Sequence, residues 1–66
     1  MNSVIITLPG YTAVDPRFHA MIRWCYETAG EEYKDWEWCY REYPYDIKFT
    51  FKKNKMATMF RLKFLQ

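Results

Sequence analysis

Trp36-Glu37-Trp38-Cys39-Tyr40-Arg41-Glu42-Tyr43-Pro44-Tyr45-Asp46-Ile47-Lys48-Phe49-Thr50-Phe51-Lys52 is the stretch from which the fold is read. Trp36, Trp38 and Tyr40 alternate with Glu37, Cys39 and Arg41, and Ile47, Phe49 and Phe51 alternate with Lys48, Thr50 and Lys52. Successive side chains leave a strand on opposite faces, so a period of two marks a strand buried on one side. Tyr43-Pro44-Tyr45-Asp46 reads as a turn between the two runs, which makes them an antiparallel hairpin with one strongly aromatic face. The other face carries Glu37 and Arg41 against Lys48 and Lys52, where opposite charges meeting across strands would be mildly favourable.

On the N-terminal side, Ser3–Leu8 is rich in β-branched residues and reads as a further strand, ended by Pro9-Gly10. Asp15-Pro16 supplies a helix start, with Asp as N-cap and Pro at the first helical position. Phe18, Met21, Ile22, Cys25 and Ala29 then share one helical face, and Gly30 is placed to end the helix in a left-handed conformation. On the C-terminal side, Lys53-Asn54 looks like a turn and helix start, with Met56, Met59 and Phe60 on one face. Residues 62–66 fit either a short last strand or the continuation of that helix. The element order is therefore β-α-β-β-α, with a short last strand left open. That order points to an α+β domain of the ferredoxin-like, split β-α-β kind, with both helices on one sheet face. The first strand is expected beside the third and parallel to it. The uncovered face would carry Glu37, Cys39, Arg41, Lys48, Thr50 and Lys52.

The 66 residues allow a single domain, 1–66, and no second core. A chain of this size buries only about 60% of its unfolded surface, so a high aromatic content is one route to a sufficient core. Here 21% of residues are aromatic: three Trp, six Tyr and five Phe. Core parity leaves Tyr11, Trp24, Tyr43 and Tyr45 least accounted for. Those four are the candidate partner-binding residues, since Trp and Tyr are common anchors of protein interfaces.

Charge is segregated along the chain. Residues 27–46 hold seven acids against Lys34 and Arg41, a net −5, and residues 47–66 hold Lys48, Lys52, Lys53, Lys55, Arg61 and Lys63 with no acid, a net +6. The basic end either lies against the acidic middle and is neutralised, or forms a patch able to meet phosphate or an acidic protein surface.

Catalytic parts are scarce. His19 is the only histidine, Ser3 the only serine, and two glycines cannot build a phosphate-cradling loop or a dinucleotide fingerprint. Two cysteines do not make a disulfide framework, and a metal site would need more soft ligands than Cys25, Cys39 and His19 offer. No apolar run approaches the roughly 20 residues that span a bilayer, and Val4–Leu8 is too short for a signal segment. A cytoplasmic, non-enzymatic protein without cofactor, metal or membrane is expected.

Phe49-Thr50-Phe51 followed by Ala57 and Phe60 resembles the third strand and second helix of an RNA recognition motif. That family stacks bases on exposed-face aromatics, whereas Phe49 and Phe51 here have core parity and no glycine precedes them. The same tail, through Lys55-Met56-Ala57-Thr58-Met59-Phe60-Arg61-Leu62-Lys63-Phe64, is similar to the C-terminal pattern of small bacteriophage accessory proteins. In those, an aromatic strand leads to a short helix ending in Phe-x-Leu-x-aromatic, and Asp35–Tyr40 has a similar Trp-rich flavour. The likeness covers the last half of the chain. It implies a phage-encoded protein in the bacterial cytoplasm that binds and modulates a host protein, and it carries over no site residues. The alternatives are a nucleic-acid-binding domain using the lysine-bearing sheet face, and a self-assembling or homodimeric structural piece using exposed strand edges.

Overall fold

A computed structural model of the chain describes residues 2–65. Its centre is the hairpin of β2 (Trp36–Glu42) and β3 (Asp46–Phe51), paired antiparallel with Trp38 opposite Phe49 and Tyr40 opposite Ile47. Ile47, Phe49 and Phe51 are buried while Lys48 and Thr50 are half-buried on the other face, as alternation requires. β1 (Ser3–Thr7) pairs with the far side of β3, which gives a three-stranded sheet in the order β1-β3-β2.

The neighbour of β3 is the expected one, but its direction is not. β1 runs antiparallel to β3, with Val4 opposite Phe49 and Ile6 opposite Ile47. The crossover through the first helix relates β1 to β2, and those two strands do run alike. β3 lies between them and opposes both, so the sheet contains only antiparallel pairs.

α1 (Pro16–Trp24) starts as its residues demand: Asp15 is the N-cap and its carboxylate accepts from the Arg17 amide at 2.8 Å. The helix widens into a π turn over Cys25–Ala29. Gly30 follows at φ 118°, ψ −144°, a positive-φ geometry outside the left-handed helical region expected for it. A 3-10 turn over Thr12–Val14 precedes α1, so the full order is strand, 3-10 turn, helix, two strands, helix. The expected five-element order lacks that turn because its determinant is a tertiary contact from the buried Thr12, described below.

α2 (Asn54–Phe64) is a continuous helix, and no last strand occurs among the described residues; Gln66 lies outside them. The reason is packing: Phe60 and Phe64 are four apart, the spacing of one helix face. Their rings sit 4.9 Å apart beside Trp24, whereas an alternating strand would break that cluster.

Both helices cover the same sheet face. Phe60 meets Phe49 at 4.8 Å and Phe51 at 5.3 Å, and Phe18 meets Trp38 at 4.9 Å. The buried residues form one cluster, with Trp36, Ile47, Phe49, Phe51, Cys25 and Phe60 all but sealed from solvent. Five of the twelve buried core residues are aromatic, which suits a chain too short for many layers.

Candidate interaction surface

The opposite end of the sheet from Phe51 holds the turn between β2 and β3, closed by the Tyr45 amide on the Glu42 carbonyl at 3.0 Å. The segment after β1 returns to this turn. The Leu8 amide donates to the Tyr45 carbonyl at 3.1 Å, and Thr12 grips Pro44 twice. Its amide donates to the Pro44 carbonyl at 3.2 Å and its hydroxyl donates to the same oxygen at 2.7 Å. Thr12 is fully buried, so this is an interior polar contact, and its hydroxyl is satisfied as buried polar groups require.

The clamp fixes Tyr11 beside Tyr45, their rings stacked at 6.3 Å and 28°. Tyr43 stands edge-on to Tyr40 at 4.8 Å, and Tyr40 to Trp38 at 5.3 Å, so a line of rings runs from the core to the turn. Tyr11, Tyr43 and Tyr45 remain 62%, 73% and 46% exposed. Three of the four candidate aromatics are thus gathered at one end of the molecule from two separate segments.

Trp24 is not with them. It closes α1 at the other end, half-buried and edge-on to Phe51, Phe60 and Phe64 at 6.4, 5.8 and 6.2 Å. Its first role is packing α1 against α2.

The six basic candidates are spread over β3, the segment after it and α2, with Lys52 and Lys53 lining one cavity beside Asp35. Lys48 lies on the open sheet face opposite Ile5 and Cys39. Lys52 follows β3, where its amide donates to the Asp35 carbonyl at 2.8 Å. Lys53 caps α2, Lys55 sits in its first turn, and Arg61 donates to the Ser3 carbonyl at 2.9 Å across the β1 edge. Lys63 lines a groove together with residues of α1. The expected cross-strand charge pairs do not form, because the register sets Glu37 opposite Thr50 and Cys39 opposite Lys48. A bulge between Tyr40 and Glu42 leaves Arg41 without a strand partner, and it bridges to Asp46 at 2.7 Å. The Thr7 hydroxyl, and after it the Arg41 guanidinium, hold the Asp46 carboxyl below the usual carboxylate range. Among the described residues the ion pairs are Arg41–Asp46 and Arg17–Asp15, so none joins the acidic middle to the basic end.

Other chemistry-bearing groups are scattered. The Cys25 thiol is fully buried, and that burial, with a smaller contribution from Glu32, pushes it up to about 12. Such a thiol is inert as a nucleophile at neutral pH. Cys39 is exposed on the open sheet face, and His19 Nε2 lies 2.9 Å from the Ala13 carbonyl. No group of three or more His, Cys, Asp or Glu side chains placed to hold a metal occurs among the described residues. Nor is any described helix long and apolar enough to cross a membrane.

The residue that sequence reasoning missed is Thr12. A lone threonine in a loop carries no periodic signal, and its partner is a main-chain oxygen 32 positions away. Compared with protein-family models, with curated proteins and with solved structures, the chain matches none.

Proposed function

We propose that this chain is a non-enzymatic interaction module that binds a protein partner through Tyr11, Tyr43 and Tyr45. The observation that carries the reading is the clamp between Thr12 and Pro44, which sets exposed Tyr11 against exposed Tyr45, with exposed Tyr43 in the same turn braced on Tyr40. Preorganised aromatic side chains lose little conformational entropy on binding, so they make effective anchors. The scattering of the basic side chains, and the lack of aromatic rings on the open face of β2 and β3, favour protein over nucleic acid. β1 and β2 running alike on either side of β3 support the reading of the fold as a ferredoxin-like split β-α-β unit without a fourth strand. The likeness to small phage accessory proteins makes a bacterial host protein the partner to seek, in the cytoplasm.

The test is affinity capture from bacterial lysate by the wild-type chain and by a Tyr11→Ala, Tyr43→Ala, Tyr45→Ala triple variant shown to be folded by circular dichroism. A protein held by the first, lost by the second and then bound in purified form supports the reading. Equal retention by both, or retention by neither, refutes it.

A further inference from the structure

We infer that a groove along α1 is a second docking site, and that it takes an acidic amphipathic helix of another protein. The groove has a volume of about 460 Å³ and follows α1 from Pro16 past Ala20 to Glu27, with Lys63 and Phe64 of α2 along its side. The nine residues of α1 at 1.5 Å each make about 13 Å, two and a half helical turns, and the π turn that carries Glu27 prolongs the line. Pro16 and Ala20 are small, which lets a second backbone approach closely. Trp24 and Phe64 supply the apolar wall, where the half-buried indole is already braced on the core. Apolar residues of an incoming helix at positions i, i+3 or i+4 and i+7 would follow this line, the usual way a helix occupies a groove.

Charge selects the occupant. Arg23 from α1 and Lys63 from α2 border the groove, and neither is ion-paired among the described residues. Glu27 is the one acid in the lining, and α2 itself carries Lys55, Arg61 and Lys63 with no acid. A second copy seated by the same face would offer Glu27 as the one acid of its lining to meet both Arg23 and Lys63, so it matches the groove's charge less well than an acidic helix does. A helix flanked by carboxylates meets both cations. This inference extends the protein-binding reading but rests on a different set of residues, none of them one of the three tyrosines.

The probe is a synthetic helical peptide of about 14 residues with a leucine stripe flanked by glutamates, compared with the same peptide carrying glutamines. Binding is followed by amide chemical shifts of the labelled chain. The expected result is saturable binding that perturbs residues 16–27, 63 and 64, weakened about fivefold for the glutamine peptide, as about 1 kcal/mol of rim charge pairing implies. Arg23→Gln with Lys63→Gln should remove that preference, and Ala20→Leu, which fills the floor, should abolish binding. The Tyr11→Ala, Tyr43→Ala, Tyr45→Ala variant should bind the peptide as well as wild type, which separates failure of this site from failure of the tyrosine site. Equal affinity for both peptides, perturbation elsewhere, or the same residues shifting only with anionic vesicles or duplex DNA overturns it.

Discussion

Replacing Thr12 by Val tests how the tyrosine cluster is held. The substitution keeps the branched shape of a fully buried side chain and removes only the hydroxyl that donates to Pro44 at 2.7 Å. The Thr12 amide still donates to that oxygen at 3.2 Å, so the acceptor is not orphaned. The loss is therefore one intramolecular hydrogen bond, about 1 kcal/mol, and not the larger penalty of a buried unsatisfied group. A chain of 66 residues has a total stability of only about 3–10 kcal/mol, so the change is readily measured. Thermal unfolding followed by circular dichroism should show the midpoint lowered by about 4–8 °C. Thr12→Ser retains the donor, so it should keep the Tyr11–Tyr45 contact seen by nuclear Overhauser effects, while Thr12→Val weakens it and lowers affinity for the tyrosine partner. If Ser falls as far as Val, the methyl group and not the hydroxyl holds the segment. If Val leaves both stability and the ring contact untouched, the clamp does not position the cluster.

Two further perturbations follow from the geometry around the end of α1. A Cβ on Gly30 would collide with Asp35 Oδ2 and stand 2.9 Å from its Cβ, and Asp35 Oδ2 accepts from the Glu31 amide at 2.9 Å. With this essentially glycine-only backbone region costing about 1–3 kcal/mol for alanine and the displaced hydrogen bond about 1 more, Gly30→Ala should lose about 2–4 kcal/mol by urea unfolding; a loss below about 1 would contradict the geometry. The Cys25 thiol, raised from 9.0 to about 12, keeps its proton in the folded state while the unfolded chain ionises. Stability from this group is complete below about pH 9 and falls as pH rises toward 12, with a limiting slope of about 1.4 kcal/mol per pH unit. Cys25→Ala should flatten that part of the alkaline profile, and thiol reagents at neutral pH should label Cys39 rapidly and Cys25 only through unfolding.

Most of the hairpin was legible because a strand exposes its pattern directly: parity assigns Ile47, Phe49 and Phe51 to one side whatever the rest of the chain does. The Asp15-Pro16 start was legible for the same reason, since an N-cap acts within two residues. The direction of β1 was not. Val4 and Ile6 would be buried in either orientation, so burial pattern alone cannot choose between parallel and antiparallel pairing. The end of the chain admitted two readings for a related reason. Leu62-Lys63-Phe64 alternates locally, and only the position of Phe60 and Trp24 shows that Phe64 belongs to a helical face.

The same limit explains why four aromatics that look equivalent in the sequence divide into two sites. Each fell outside the core parity of its own element, and parity has nothing to say about what lies across from a loop. Trp24 follows the buried stripe of α1 by geometry, so it turns to the neighbouring helix and becomes a wall. Tyr11 and Tyr45 meet because a threonine binds a carbonyl, and a carbonyl is the one acceptor that every residue carries. That makes the clamp dependent on position 12, whose amide and hydroxyl both reach the one oxygen. A surface built this way concentrates its specificity in the exposed rings and its integrity in one buried hydroxyl, so rings and hydroxyl should fail separately: changes at Tyr11, Tyr43 and Tyr45 alter binding at constant stability, and changes at Thr12 alter both.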